Sequence, residues 1–193
     1  MFINEMIQLY DLIKKSYNLK DKVEKAAEIL SNTVIKGGKI YIIGNGGSAS
    51  DANHFVGEIL GRYRKERKAL GAISLVSDIA TITAIANDYG FEYIFSRQLE
   101  GVFNQEKDIL ITLSTSGNSE NIIEALDYLD EIGGKSINLL GNNGGIIGLK
   151  NFENRFNIII PSHVTPRVQE LHQIILHYFA RVIEEEYLKF KNM

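Results

Sequence analysis

The strongest constraint on the fold is the recurrence of five short apolar runs, at residues 39–43, 72–76, 108–113, 135–140 and 156–160. Each has the length of a buried strand, is too short for a helix, and is followed by Gly, Ser or Pro. Between them the apolar residues repeat every three or four positions, over 49–61, 79–103 with a break near Gly90, and 119–132. Strands separated by helices are joined by crossovers and therefore run parallel, and right-handed crossovers put helices on both faces. The expectation is an α/β fold, a five-stranded parallel doubly wound sheet.

Two amphipathic helices are predicted ahead of the first strand, at 3–17 and 21–35. A long one follows the last strand, with Pro166 at its start, Lys191 near its end, and apolar positions that include Val168, Leu171, Ile175 and Phe179. No linker or repeat divides the chain, so one domain is expected over 1–193, with a helical extension at 1–36 and the α/β core and C-terminal helix at 37–193. The end helices exceed what a five-stranded sheet can use, and their spare apolar faces are expected to meet other subunits.

Composition removes several classes of function. A net charge of −3 supplies no broad basic field for nucleic acid or anionic lipid, so an anionic ligand must be held by local geometry, which suits a small phosphorylated molecule. The absence of cysteine excludes disulfides, thiolate metal sites and cysteine nucleophiles. No apolar run approaches the roughly 18 residues a membrane helix needs. The first residues, with Glu5 among them, lack the continuous apolar segment of a secretion signal, so a cytoplasmic protein is expected.

Ligands of open α/β sheets bind beyond the carboxyl ends of the strands. Two of the segments there are unusual. The first strand runs into Gly44-Asn45-Gly46-Gly47-Ser48, whose glycines let the backbone approach a ligand at a helix start. The third runs into Ser114-Thr115-Ser116-Gly117-Asn118-Ser119. A single serine there reads as a helix cap, but four hydroxyls in six residues fit an anion that needs many donors. The first loop also matches a loose dinucleotide pattern through Gly44, Gly46 and Ala49, which keeps a dehydrogenase in view. Its acidic partner would have to be Asp78, later than the usual spacing of about 20 residues. His54 and Glu58 share one helix face, and the last helix offers Gln169, His172 and His177. The basic run at 62–68 reads as a solvated face, of which Arg62 alone is placed to meet a ligand.

Together GNGGSASDANHFVGEILGRY, IANDYGFEYIFSRQ, STSGNS and RVQELHQIILH resemble the phosphoheptose isomerases, in order and spacing, from about residue 40 onward. The resemblance implies a SIS domain, a homotetramer with shared active sites, and interconversion of sedoheptulose 7-phosphate with an aldoheptose 7-phosphate in heptose biosynthesis for lipopolysaccharide or capsule. It also implies one zinc ion per subunit. By matching position it makes Ser114, Thr115, Ser116 and Ser119 a phosphate cradle, and Asn45, Ser48, Arg62 and Asp88 sugar or phosphate contacts. Gly46, Gly47 and Gln169 join them at the substrate. The same matching makes Glu58 and His177 the acid/base pair, and His54, Glu58, Gln169 and His177 the metal ligands. Pro166 departs from the family, some of whose members carry an acidic residue there. The alternative within the same fold is a non-catalytic SIS-domain protein that binds a replication initiator. Such proteins lack the acid/base side chains that this chain keeps at Glu58 and His177.

Overall fold

The computed structural model describes residues 2–15, 19–150 and 153–192. In chain order the elements are α1 (Phe2–Lys15), α2 (Leu19–Ile35), β1 (Ile40–Gly44), α3 (Gly47–Leu60), β2 (Ala72–Ser74), α4 (Ile79–Asp88), a 3-10 turn (Phe91–Tyr93), α5 (Ser96–Val102) and β3 (Ile109–Ser114). Then come α6 (Glu120–Ile132), β4 (Lys135–Leu140), α7 (Gly145–Leu149), β5 (Arg155–Ile159) and α8 (Thr165–Lys191). The expected first helix ran to residue 17, and positions 16 and 17 lie outside the described residues.

The five strands form one parallel sheet in the order β2-β1-β3-β4-β5. Side chains alternate between its faces, and both are buried. Ile40 and Ile42 join a core made with α1, α2, α3 and α8, while Tyr41 and Ile43 join a second core made with α5, α6 and α7. Burial on both faces explains why β1 reads as an unbroken apolar run over 40–43. Across β3, β4 and β5, Thr112 donates to Asn138 at 2.7 Å and Asn138 to Asn157 at 2.8 Å, a side-chain chain that pins the register of three strands.

Two local expectations are corrected. β2 stops at Ser74 rather than 76, because the Ser77 hydroxyl donates to the Ser74 carbonyl at 2.8 Å and turns the chain away from the sheet edge. The short helix α7 was not expected, since Gly144, Gly145 and Gly148 make its segment read as loop.

Some apolar surface has no partner within one chain. On α1, Ile3, Met6, Ile7, Tyr10 and Ile13 are exposed. α4, with the sequence IATITAIAND, has no buried residue, and Ile79 at its start is 74% exposed.

Candidate active site

The strand order reverses between β1 and β3, and the loops that leave these two strands lie side by side at this switch point. Their coupling is explicit. Asn45, after β1, and Asn121, in the first turn of α6, each donate a side-chain amide N–H to the other's carbonyl oxygen at 2.9 Å. Asn121 is buried and was missed by sequence reasoning. Gly46 has φ 56°, and a Cβ on Gly47 would come within 2.6 Å of the Gln169 amide nitrogen. The glycine-rich loop thus lets α8 approach the start of α3.

The hydroxyl-rich loop follows β3. Ser114 is buried, its oxygen lies 3.3 Å from the Ser119 hydroxyl, and it accepts the Gly117 N–H at 3.0 Å. The Ser116 hydroxyl accepts the Asn118 N–H at 3.1 Å, and the Asn118 side-chain oxygen accepts the Ile146 N–H of α7 at 2.9 Å. Gly117 has φ 68°, and a Cβ there would fall 1.9 Å from the Gly144 carbonyl oxygen, so only glycine fits. Ser119 occupies the N-cap of α6, yet its side chain makes no capping hydrogen bond. Its hydroxyl is therefore not spent on the amides of the helix end, and stands 3.3 Å from that of Ser114 instead.

The second constellation joins α3 to α8. His54 and Glu58, one turn apart, place Nε2 and Oε1 3.3 Å from each other. His177 brings its Nε2 to 3.0 Å from that of His54. The three ligand atoms lie within 4.8 Å of one another, and the two shorter separations are close to the roughly 3.3 Å between ligands that each stand about 2.0–2.1 Å from one tetrahedral ion. Two imidazoles and a carboxylate are also the donor types zinc takes, so the residues fit a metal. The Gln173 amide nitrogen stands 3.2 Å from the His177 Nε2, a neighbour that sequence reasoning did not name. Gln169 instead lies against Gly47. The ring of Tyr63 is 6.1 Å from that of His177. Asp51, one turn before His54, has a buried oxygen without a hydrogen bond; burial raises its pKa and the neighbouring His54 opposes the rise.

Other expected residues are placed elsewhere on the chain. Arg62 is exposed and pairs with Glu66 at 3.4 Å. Asp88, exposed at the end of α4, accepts the Asn87 amide at 2.8 Å. Ser48 is buried at the start of α3, and Thr115 is half-buried in the hydroxyl loop. The run at 62–68 is not a wholly solvated face: the Arg67 side chain is fully buried and pairs with Glu184 at 3.4 Å. His172 is fully buried in α8 and is not one of the metal-type trio.

The SIS domain family matches residues 1–141. Phosphoheptose isomerase 1 of Campylobacter jejuni is 46% identical over 176 residues, which cover 91% of this chain and 92% of the relative. The phosphoheptose isomerase of Helicobacter pylori strain P12 is 44% identical, covering 95% of this chain and 94% of its own. Among solved structures, phosphoheptose isomerase from Neisseria gonorrhoeae superposes with a TM-score of 0.88 at 33% identity, covering 95% of this chain and 97% of that one. Fold and relatives define a SIS-domain sugar-phosphate isomerase. The chain belongs to the phosphoheptose isomerase family.

Proposed function

We propose that the protein interconverts D-sedoheptulose 7-phosphate and D-glycero-D-manno-heptose 7-phosphate in bacterial heptose biosynthesis. The observation that carries this reading is the convergence of His54, Glu58 and His177, from two helices, within 4.8 Å. A protein that only bound a partner would have no chemical need for it.

The reaction moves a carbonyl from C2 to C1. One of Glu58 and His177 takes the proton from C1 while the other delivers a proton to the C2 carbonyl oxygen, which gives an enediol. Return of a proton to C2 and loss of the C1 hydroxyl proton then leave the aldehyde. Zinc held by His54, Glu58 and His177, with Gln169 as the further ligand the resemblance implies, would supply Lewis-acid stabilisation of charge on the substrate oxygens. A carboxylate has two oxygens and an imidazole two nitrogens, so Glu58 and His177 can each hold an ion through one and exchange a proton through the other. The phosphate lies far from the reacting carbons, and Ser114, Thr115, Ser116 and Ser119 orient the substrate through it. Asn45, Ser48 and the backbone at Gly46 and Gly47 line the sugar end.

The assembly in this reading is a homotetramer with sites at subunit boundaries. It is supported by the uncovered apolar faces of α1 and α4. No helix among the described residues is long and apolar enough to cross a membrane, which agrees with a cytoplasmic location. The test is incubation of the metal-replete protein with sedoheptulose 7-phosphate and detection of the aldose phosphate. A folded, metal-loaded tetramer that forms none sinks the reading.

A further inference from the structure

The buried ion pair of Arg67 and Glu184 lies outside the chemistry, yet it touches both helices that carry it. Glu184 is 2% exposed and stands seven residues after His177, two turns along the same face of α8. Its carboxylate accepts three successive backbone N–H groups, those of Tyr63 at 3.1 Å, Arg64 at 3.0 Å and Lys65 at 3.0 Å. Arg67, 3.4 Å from the same carboxylate, turns its guanidinium back onto the end of α3. There it donates to the carbonyls of Glu58 at 2.8 Å and Ile59 at 2.9 Å. A cation at these carbonyls caps the negative end of the helix.

The consequence is mechanical. The last turn of α3 carries the Glu58 side chain, and its backbone is held by Arg67. Arg67 and the loop it belongs to are held by Glu184, which is fixed to α8 and therefore to His177. We infer that the Arg67–Glu184 pair is a positioning device, which sets the separation of Glu58 and His54 on α3 from His177 on α8. A buried pair of charges is weak evidence for stability alone, since well-packed apolar residues serve that end as well or better. A carboxylate that gathers three amides and one guanidinium is suited instead to fixing a loop in one conformation.

The inference rests on the proposed function, and the experiment separates the two. Glu184→Gln keeps the shape but replaces one acceptor oxygen by a donor that cannot receive the amides, while Arg67→Lys keeps the charge and loses the fork that spans two carbonyls. The control is Asp130→Asn, which weakens another buried pairing, that of Arg155, at the amino end of β5 and so at the opposite end of the sheet. Each variant is checked for fold and assembly. Zinc affinity is then measured by chelator competition, the cobalt(II) form is examined by visible absorption, and turnover of sedoheptulose 7-phosphate is assayed.

Both positioning variants are expected to lose about tenfold or more in zinc affinity and in kcat, as supporting residues around a metal do, with weakened tetrahedral cobalt bands. Asp130→Asn is expected to lower the melting temperature without moving these readouts. Unchanged zinc affinity and kcat in a folded Glu184→Gln overturn the inference, as does an equal change in Asp130→Asn. Arg67→Lys carries the test if Glu184→Gln does not fold, and failure of both to fold assigns the pair a purely structural role. A wild-type protein that binds zinc but leaves sedoheptulose 7-phosphate unchanged refutes the proposed substrate while the metal readouts still decide the positioning role. A wild type with neither zinc nor turnover overturns both.

Discussion

His54 and His177 are 123 positions apart in the chain, and their Nε2 atoms face each other at 3.0 Å. Without an ion, one ring must donate and the other accept; with one, both nitrogens become ligands. Protein purified without chelator is therefore expected to contain about one zinc per subunit, and His54→Ala to lose most of it. Elemental analysis checks this. Full activity in a protein stripped of metal would remove zinc from the chemistry.

Glu58→Gln and His177→Gln preserve size and most hydrogen bonding but cannot exchange the proton. Each is expected to reduce turnover by about 10² or more while folding and assembly persist. Steady-state assays on variants with native circular dichroism decide the point, and turnover within a few-fold of wild type would move the proton carriers elsewhere.

Ser119 spends no hydroxyl on capping α6, so the double substitution Ser116→Ala and Ser119→Ala should cost little stability, below about 2 kcal/mol. Its effect should fall on the substrate instead. KM for sedoheptulose 7-phosphate is expected to rise well beyond any change in thermal midpoint, and an unchanged KM would argue against the cradle.

Burial holds the pKa of His172 down at about 4, only partly offset by the nearby Leu140 carbonyl, against an ordinary value of 6.5. Above pH 6.5 the ring is neutral in folded and unfolded chains alike. Between about 6.5 and about 4 the unfolded chain takes up a proton that the folded one refuses, so stability falls with pH, by at most about 3 kcal/mol. Urea unfolding at pH 7.5 and pH 4.5 should show a smaller loss in His172→Phe than in wild type. Equal losses would mean that His172 takes no part in the acid sensitivity.

The apolar stripe of α1 gives the assembly a handle. Charge placed at Met6 and Tyr10, 58% and 60% exposed within one chain, should split the proposed tetramer and abolish activity with it. Light scattering alongside the assay tests this, and an active monomer would refute a shared site.

Much of this architecture was readable from the chain because parallel strands buried on both faces leave short apolar runs, as at residues 40–43 and 109–111. The two candidate ligand loops were readable because glycine and hydroxyl density at strand ends is unusual whatever the fold. Arg67 was not. It lies in a basic run without periodicity, and its buried partner Glu184 sits on a distant helix, so nothing local marks it as interior. Gln173 carried a signal that went unused: it falls midway between Gln169 and His177 at four-residue spacing, hence on the same helix face. Asn121 gave no signal, because a first-turn asparagine reads as helix-start chemistry until its partner across the switch point is known.

The reciprocal bonds of Asn45 and Asn121 close a loop of 76 residues. Such a loop cannot close until β3 has slotted beside β1, and contacts of this range form late and slowly compared with local helix pairing. If the proposed cradle holds the sugar phosphate, no amino-terminal fragment ending before β3 can bind it, however well its helices form. Recovery of catalysis after dilution from denaturant would therefore time the completion of the sheet, whereas recovery of helical circular dichroism would run ahead of it.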